Sequence, residues 1–166
     1  MSSLKTILLT NLALYHLAFF VILKTKKLAF IDTFWSLSFL VAASVSTFYL
    51  YPINSRNLVI LSLIFLWALR LGVYLTNRNL NLHEDKRYLE IKNNWKKNFT
   101  LHLYLKIILL QCFLSFVLFS HFPFVFAPSA FSQIDCVLVT LALGAFFYEA
   151  IADYQATVFE CHRQFD

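Results

Sequence analysis

Long apolar runs separated by short polar segments dominate the chain. The five longest cover residues 4–23, 28–50, 58–77, 99–120 and 134–152. A helix rises about 1.5 Å per residue, so about 20 apolar residues cross a bilayer core about 30 Å thick. The runs are apolar on all sides and lack the period of two that is typical of barrel strands. The sequence therefore predicts an all-α, polytopic transmembrane bundle with five spans, forming one domain over residues 1–166.

The overall composition agrees with this prediction. Hydrophobic residues make up 60% of the chain and charged residues 14%, whereas soluble domains carry about 25% charged residues. Only two glycines and three prolines are present, which argues against a loop-rich β sandwich, a collagen-like repeat or a disordered tail. The first run is long and has no small-x-small cleavage site before the basic segment 24–27, so we expect it to remain attached as a membrane anchor.

The basic residues between the runs predict the orientation. Lys5 and Arg56 fall on one side of the predicted membrane, and ten basic residues fall on the other: Lys24, Lys26, Lys27, Arg78, Lys86, Arg87, Lys92, Lys96, Lys97 and Arg163. The side richer in lysine and arginine is normally cytoplasmic. We therefore expect an outside amino terminus, a cytoplasmic carboxyl terminus and a cytoplasmic loop over 78–98. The same distribution explains the net charge of +5 without a nucleic-acid partner.

The cysteines and histidines do not predict a metal site. Cys112, Cys136 and Cys161 are odd in number and widely spaced, so they predict neither a disulfide framework nor a metal-binding set. His16 and His102 each lack a second ligand three or four residues away.

Charged residues inside the spans are the first candidates for function. Asp32 and Arg70 lie at similar predicted depth in the second and third spans. An isolated charge near mid-membrane costs at least about 2.5 kcal/mol, so both side chains should face protein or water, and plausibly each other. Two interpretations stay open: a structural ion pair, or a site at which Arg70 helps to bind an anionic ligand.

The fifth span carries an acidic stripe formed by Glu149, Asp153 and Glu160. These carboxylates could pair with a cation on a neighbouring helix, or accept hydrogen bonds from the hydroxyls of a bound cofactor. Five charged residues fall in the predicted cytoplasmic halves of their spans: Asp32, Arg70, Lys106, Glu149 and Asp153. We therefore expect a polar cavity that opens to the cytosol and is covered by the 78–98 loop.

The order of these residues resembles that of the steroid 5-alpha-reductase-like membrane oxidoreductases, especially a bacterial branch described as a domain of unknown function. The resemblance spans roughly residues 30 to 160. The matching pieces are Asp32-x-x-Trp35 with Phe39, Trp67-x-x-Arg70-Leu71-x-x-Tyr74-x-x-x-Arg78-Asn79, Glu84-Asp85-Lys86-Arg87-Tyr88, Gln111, and Glu149-x-x-Ala152-Asp153-x-Gln155-x-x-x-Phe159.

The resemblance implies a reductase that binds NADPH from the cytosolic side and transfers hydride to a conjugated carbon–carbon double bond of a lipid-like substrate, such as a steroid, an isoprenoid or a fatty enone. By position, Glu149 and Asp153 are similar to residues that contact the adenosine side of the cofactor. Arg87 and Tyr88 are similar to a cofactor-facing loop. We take Arg87, Glu149, Asp153 and Arg70 as candidate cofactor-binding residues and Tyr88 as the candidate proton donor.

The chain also departs from the family pattern near its end. Family members continue with an Arg-His-Pro-Asn-Tyr type motif and further helices that close over the nicotinamide, whereas His162-Arg163 does not match that motif. The expectations are a truncated reading frame, one half of a split enzyme with a separately encoded C-terminal half as its partner, or an inactive remnant. The alternative function is therefore a non-catalytic multi-pass membrane protein or a degenerate fragment.

Overall fold

A computed structural model describes residues 2–81, 86–95 and 98–163. Among these residues there are helices and connecting segments but no β-strand. Five helical segments are long and apolar enough to span a membrane: Leu4–Thr25, Phe30–Leu50, Ser55–Leu80, Phe99–Val125 and Gln133–Val158. The predicted all-α class and the five predicted spans are confirmed.

The helices follow one another with short connections. The first four are α1 (Ser2–Thr25), α2 (Phe30–Val45, continued by a π-helical segment Ser46–Leu50), α3 (Ser55–Asn81) and α4 (Lys86–Asn94). The fourth span is composite and consists of α5 (Phe99–His102), a π-helical segment (Leu103–Ile108), α6 (Leu109–Phe119) and the short α7 (Phe122–Val125). The last helix is α8 (Gln133–Arg163).

The chain forms two compact units, Met1–Pro128 and Ser129–Asp166. The first unit contains α1 to α7. The second unit contains α8, which begins with a reciprocal cap: Asp135 Oδ2 accepts hydrogen bonds from the Ser132 backbone N–H and hydroxyl, each at 2.8 Å, and the Asp135 N–H donates to Ser132 Oγ at 3.3 Å.

Helix α2 lies among the other helices of the first unit and contacts α1, α3 and α6. Small side chains make close packing possible on the α3 side. Ala68 and Gly72 are buried, and a Cβ atom added to Gly72 would lie 3.2 Å from the Ser36 Oγ atom. Helices in membranes associate through such close packing, because lipid offers no hydrophobic driving force between them.

A neutral hydrogen-bonded contact, which we call the α1–α6 seam, joins the middle of α1 to α6. The side-chain amide of Asn11 donates to the Cys112 carbonyl at 3.2 Å and to Ser115 Oγ at 2.6 Å. Asn11 and Ser115 are both buried. Polar side chains in an apolar medium need such partners, and here the amide stabilises the packing of two spans.

The end of the first unit that carries α4 is called the basic end here; it also includes the turn Lys26–Ala29 and the last turn of α3. Lys26 has a φ of 59° in the turn between α1 and α2. The Lys27 ammonium donates to the carbonyls of Asn79 and Leu80, and the Asn79 amide donates to the Ala29 carbonyl at 2.9 Å. A cation at a helix C-terminus is stabilising, so these contacts fix the turn to α3.

The segment predicted as a loop over 78–98 is largely helical in its described part. Helix α3 continues to Asn81, and α4 occupies Lys86–Asn94. Tyr88 and Ile91 are three residues apart and both pack on the apolar cluster that contains Leu28 and Phe30. That tertiary contact supports a short, polar helix that has too few apolar residues to be evident from its own pattern.

Candidate functional site

A small cavity lies at the basic end of the first unit. Seven residues line it: Ala29, Asp32, Leu75, Arg78, Asn79, Arg87 and Tyr88. Its volume is about 20 Å³, which is room for about one water molecule. The lining combines one carboxylate, two guanidinium groups, one amide and one phenol, so it is much more polar than the rest of the bundle.

The central contact of this cavity joins α2 to α4. The Tyr88 hydroxyl donates to the Asp32 carboxylate, at 3.1 Å to Oδ1 and 3.0 Å to Oδ2. Asp32 is half-buried and lies in the first turn of α2. A helix N-terminus favours a negative charge, and the phenol adds a hydrogen bond to the ionised form. The carboxylate is thereby stabilised where α2 begins.

Contacts near both ends of helix α4 join it to other elements. Near its start, the Tyr88 hydroxyl donates to Asp32 of α2. Directly after its end, the Trp95 ring lies 5.6 Å from the Lys106 ammonium and 5.5 Å from the His102 ring, both in the fourth span. A cation over an aromatic face is attracted by the ring electrons, so these contacts restrain α4 beside the cavity. Within α4, the guanidinium carbon of Arg87 lies 6.0 Å from the centre of the Tyr88 ring.

The chemistry of the lining can be compared with the NADPH that the sequence resemblance implies. Arg78 and Arg87 offer planar donor groups that match phosphate oxygens. The cavity volume of about 20 Å³ is that of a water molecule and does not enclose a nicotinamide or adenine ring. The donor set therefore fits a phosphate group, whereas this cavity is too small for the rings.

The structure brings two of the five predicted site residues together at one cavity. Arg87 and Tyr88 meet at the cavity with Asp32. Arg70 is half-buried on α3 and is not among the residues that line this cavity. Glu149 and Asp153 are half-buried, one turn apart, on α8 of the second unit. The assignments of Arg70, Glu149 and Asp153 as cofactor-binding residues remain predictions.

Sequence reasoning does not place two polar residues, Arg78 and Asn79, in the cavity, and it does not predict the hydrogen bond between Tyr88 and Asp32. From the sequence, Arg78 and Asn79 are recognised only as part of a motif. Their position directly after a long apolar run was a usable signal, because the end of a span is where polar side chains meet. Glu84 and Asp85, which belong to the adjoining motif, lie outside the described residues.

Another polar contact of the first unit involves a histidine. The His16 ring accepts at Nε2 from the Tyr104 hydroxyl at 3.1 Å if its Nδ1–H donates to the Leu12 carbonyl at 2.8 Å. We assign this tautomer because it satisfies both ring nitrogens within the protein. The contact links α1 to the π-helical segment of the fourth span. Among the described residues there is no group of histidine, cysteine or acidic side chains that could hold a metal ion.

The fold and the site together define a polytopic helical membrane protein with a polar, positively charged site at one end of its bundle. A family model described as "Protein of unknown function (DUF1295)" matches residues 18–164, and the chain belongs to this family. The match includes every residue that lines the cavity. Comparison with curated proteins and with solved structures gives no match.

Proposed function

We propose that the chain is a membrane-embedded reductase, or the N-terminal portion of one, that uses NADPH to reduce a conjugated carbon–carbon double bond in a lipid-like substrate. The observation that carries this proposal is the Tyr88–Asp32 hydrogen bond in a cavity lined by Arg78 and Arg87. The order of the same residues along the chain supports it through the resemblance to steroid 5-alpha-reductase-like oxidoreductases.

Each group of the cavity has a role in this proposal. Arg78 and Arg87 would bind cofactor phosphate, with Arg70, Glu149 and Asp153 as further candidate contacts to the cofactor. NADPH, when bound, supplies a hydride. Tyr88 would donate a hydrogen bond or proton to the substrate carbonyl oxygen as negative charge develops there. In that role the phenol changes its acceptor from Asp32 to the substrate, and Asp32 orients the phenol beforehand.

The chain would have a defined orientation in the membrane and a protein partner. The basic end would face the cytosol of a bacterium, because lysine and arginine concentrate there, and the amino terminus would lie outside. The lipid-like substrate would enter from the bilayer. A separately encoded C-terminal segment carrying the family motif would complete the site over the nicotinamide.

The experiment is an assay of the purified chain in lipid nanodiscs, alone and with such a C-terminal segment supplied in trans. NADPH oxidation coupled to reduction of steroid, isoprenoid and fatty enones is the readout. We expect enone-dependent oxidation of NADPH by the chain alone or by the chain together with the C-terminal segment. If neither format shows NADPH binding or oxidation, the chain is not a reductase.

The second candidate function is a non-catalytic membrane protein, and the size of the cavity favours it. A volume of about 20 Å³ suits a water molecule that helps to hold α2, α3 and α4 together. On this alternative, Asp32→Asn and Tyr88→Phe would lower protein abundance, and no variant at the cavity would alter binding of NADPH.

A further inference from the structure

A groove runs between α2 and α3, adjacent to the cavity described above. Its walls are Thr33 and Leu37 of α2 together with Ala68, Leu69, Gly72, Val73, Thr76 and Asn77 of α3, and its volume is about 260 Å³. Residues 68 to 77 rise about 13 Å along a helix. The groove lies within two segments that are long and apolar enough to span a membrane, and its polar residues Thr76 and Asn77 lie toward the basic end.

The shape of the groove follows from side-chain size. Ala68 and Gly72 leave space along α3, while Leu69 and Val73 beside them are exposed. The close approach of Gly72 to Ser36 closes the groove on its protein side. The result is an apolar groove of about 260 Å³, smaller than the volume of about 300 to 1,000 Å³ of a typical pocket for a compact ligand.

Thr33 and Thr47 differ from most hydroxyl side chains of the helices, because the Oγ1 atom of each is buried without a hydrogen-bond partner among the described residues. Of these two, Thr33 lines the groove. Most hydroxyls of the helices donate to a carbonyl three or four residues earlier, as in Thr10, Thr25, Ser36, Ser38, Ser46, Ser62, Ser115, Thr140 and Thr157. Thr33 is 7% exposed, and its Oγ1 atom is buried without a hydrogen-bond partner among the described residues.

The lack of a partner for the Thr33 hydroxyl is related to the preceding turn of α2. The carbonyl of Ala29, four residues before Thr33, already accepts from the Asn79 amide at 2.9 Å and from the Asp32 N–H at 3.2 Å. The Ala29 carbonyl is therefore already bonded, and the Thr33 hydroxyl lies beside an apolar groove without a partner among the described residues. Threonine in a helix populates two χ1 rotamers, so a rotation about χ1 presents this hydroxyl to a molecule in the groove.

We infer that the groove binds one acyl chain of a bilayer phospholipid, whose ester carbonyl accepts a hydrogen bond from Thr33. An apolar groove matches a hydrocarbon chain, and a buried donor near its polar end matches an ester oxygen. The phospholipid headgroup then lies at the basic end, where the Lys27 ammonium supplies positive charge for its phosphate. This inference does not depend on the proposed reductase activity.

The first test maps lipid contacts directly. The full chain is placed in nanodiscs containing a phospholipid with a photoreactive diazirine in its acyl chain, irradiated, and digested for mass spectrometry. We expect preferential labelling of the groove residues of α2 and α3. Val73→Phe should reduce that labelling at least fivefold, because the ring fills the groove. Val117→Phe on α6 is the matched control, since Val117 is 49% exposed and Val73 is 51% exposed, and it should leave the labelling unchanged.

The second test examines the hydroxyl by native mass spectrometry after detergent extraction. Thr33→Val should reduce the phospholipid retained about two- to tenfold, the range that one hydrogen bond supports, whereas Thr33→Ser should retain it. Uniform labelling of all lipid-facing residues would overturn the inference. Protection of the groove from labelling by α8 or by a second copy of the chain would also overturn it. Equal lipid retention in Thr33→Val and in the unmodified protein would overturn it as well. NADPH binding, measured on the same samples, separates this result from the reductase proposal.

Discussion

The α1–α6 seam and the cavity at the basic end are two polar regions of one bundle, and they differ in charge and in closure. The seam is neutral and buried, and the Asn11 amide donates to groups of the neighbouring helix. The cavity contains a carboxylate and two guanidinium groups around a small open volume. Neutral side chains that form hydrogen bonds with each other hold helices together, whereas charged side chains around a cavity can bind a ligand. We therefore expect the seam to contribute to stability and propose the basic end as the ligand-binding region.

The largest expected effect concerns Tyr88. Tyr88→Phe should lower the reductase rate about a hundredfold or more, because it removes the candidate proton donor. Its effect on the free energy of unfolding should be small, about 1 kcal/mol, since one hydrogen bond is lost. The measurements are enone reduction in nanodiscs and thermal unfolding of the same samples.

The control for Tyr88→Phe is Tyr49→Phe, which removes the same atom from a phenol that is 71% exposed and distant in sequence from the cavity. That variant should leave both quantities unchanged. If Tyr88→Phe unfolds the protein while the remaining folded molecules retain their full rate, then the basic end is structural like the seam, and the comparison fails.

A smaller effect is expected at the seam. Asn11→Leu keeps the approximate volume but removes two hydrogen bonds between α1 and α6, so it should lower the free energy of unfolding by about 1 to 2 kcal/mol. The rate per folded molecule should not change. Thr10→Val, which removes a hydroxyl bonded within its own helix, is the control and should have little effect on either quantity.

The seam can be tested further by combining Asn11→Leu with Ser115→Ala. The two effects on unfolding should not add, with a coupling of about 0.6 kcal/mol, typical of hydrogen bonds between membrane helices. Strict additivity would show that the bond between Asn11 and Ser115 contributes nothing to stability.

The smallest effect is expected at Lys27, whose ammonium bonds to the last carbonyls of α3. Lys27→Met should lower the free energy of unfolding by about 0.3 to 1 kcal/mol, the usual contribution of a cation at a helix C-terminus. Added salt should reduce the difference between Lys27→Met and the unmodified protein. Lys24→Met removes a cation from the last turn of α1, so an equal loss in that variant would indicate that the charge near a helix end, and not the hydrogen bonds of Lys27 to Asn79 and Leu80, stabilises the protein.

Much of the fold could be predicted from the sequence because the membrane imposes a simple length rule. An apolar run of about 20 residues forms a helix in lipid, because each backbone N–H and C=O group must then be hydrogen-bonded within the segment. Helix α4 could not be predicted in this way. It is short and polar, and it is supported by the packing of Tyr88 and Ile91 on residues far away in sequence.

The candidate site was predictable in its residue types but not in its geometry. Burial of charge within spans identified Asp32 and Arg70 as unusual. The partner found for Asp32 is Tyr88, 56 residues later, and this pairing depends on how α4 returns to the start of α2. Periodicity places residues on a helix face, but it does not give the angle at which a connecting segment turns back. For that reason Arg78 and Asn79 were missed as lining residues.

The most direct test of the account is a titration of the purified chain with NADPH, with the Arg78→Gln, Arg87→Gln and Lys24→Gln variants measured in parallel. Lys24→Gln removes one charge from an exposed residue near the basic end that does not line the cavity, so it corrects for net charge. The account predicts that each arginine variant weakens binding about tenfold, that the effect is larger at low salt, and that Lys24→Gln leaves the affinity unchanged. Equal affinities in all four proteins would contradict it.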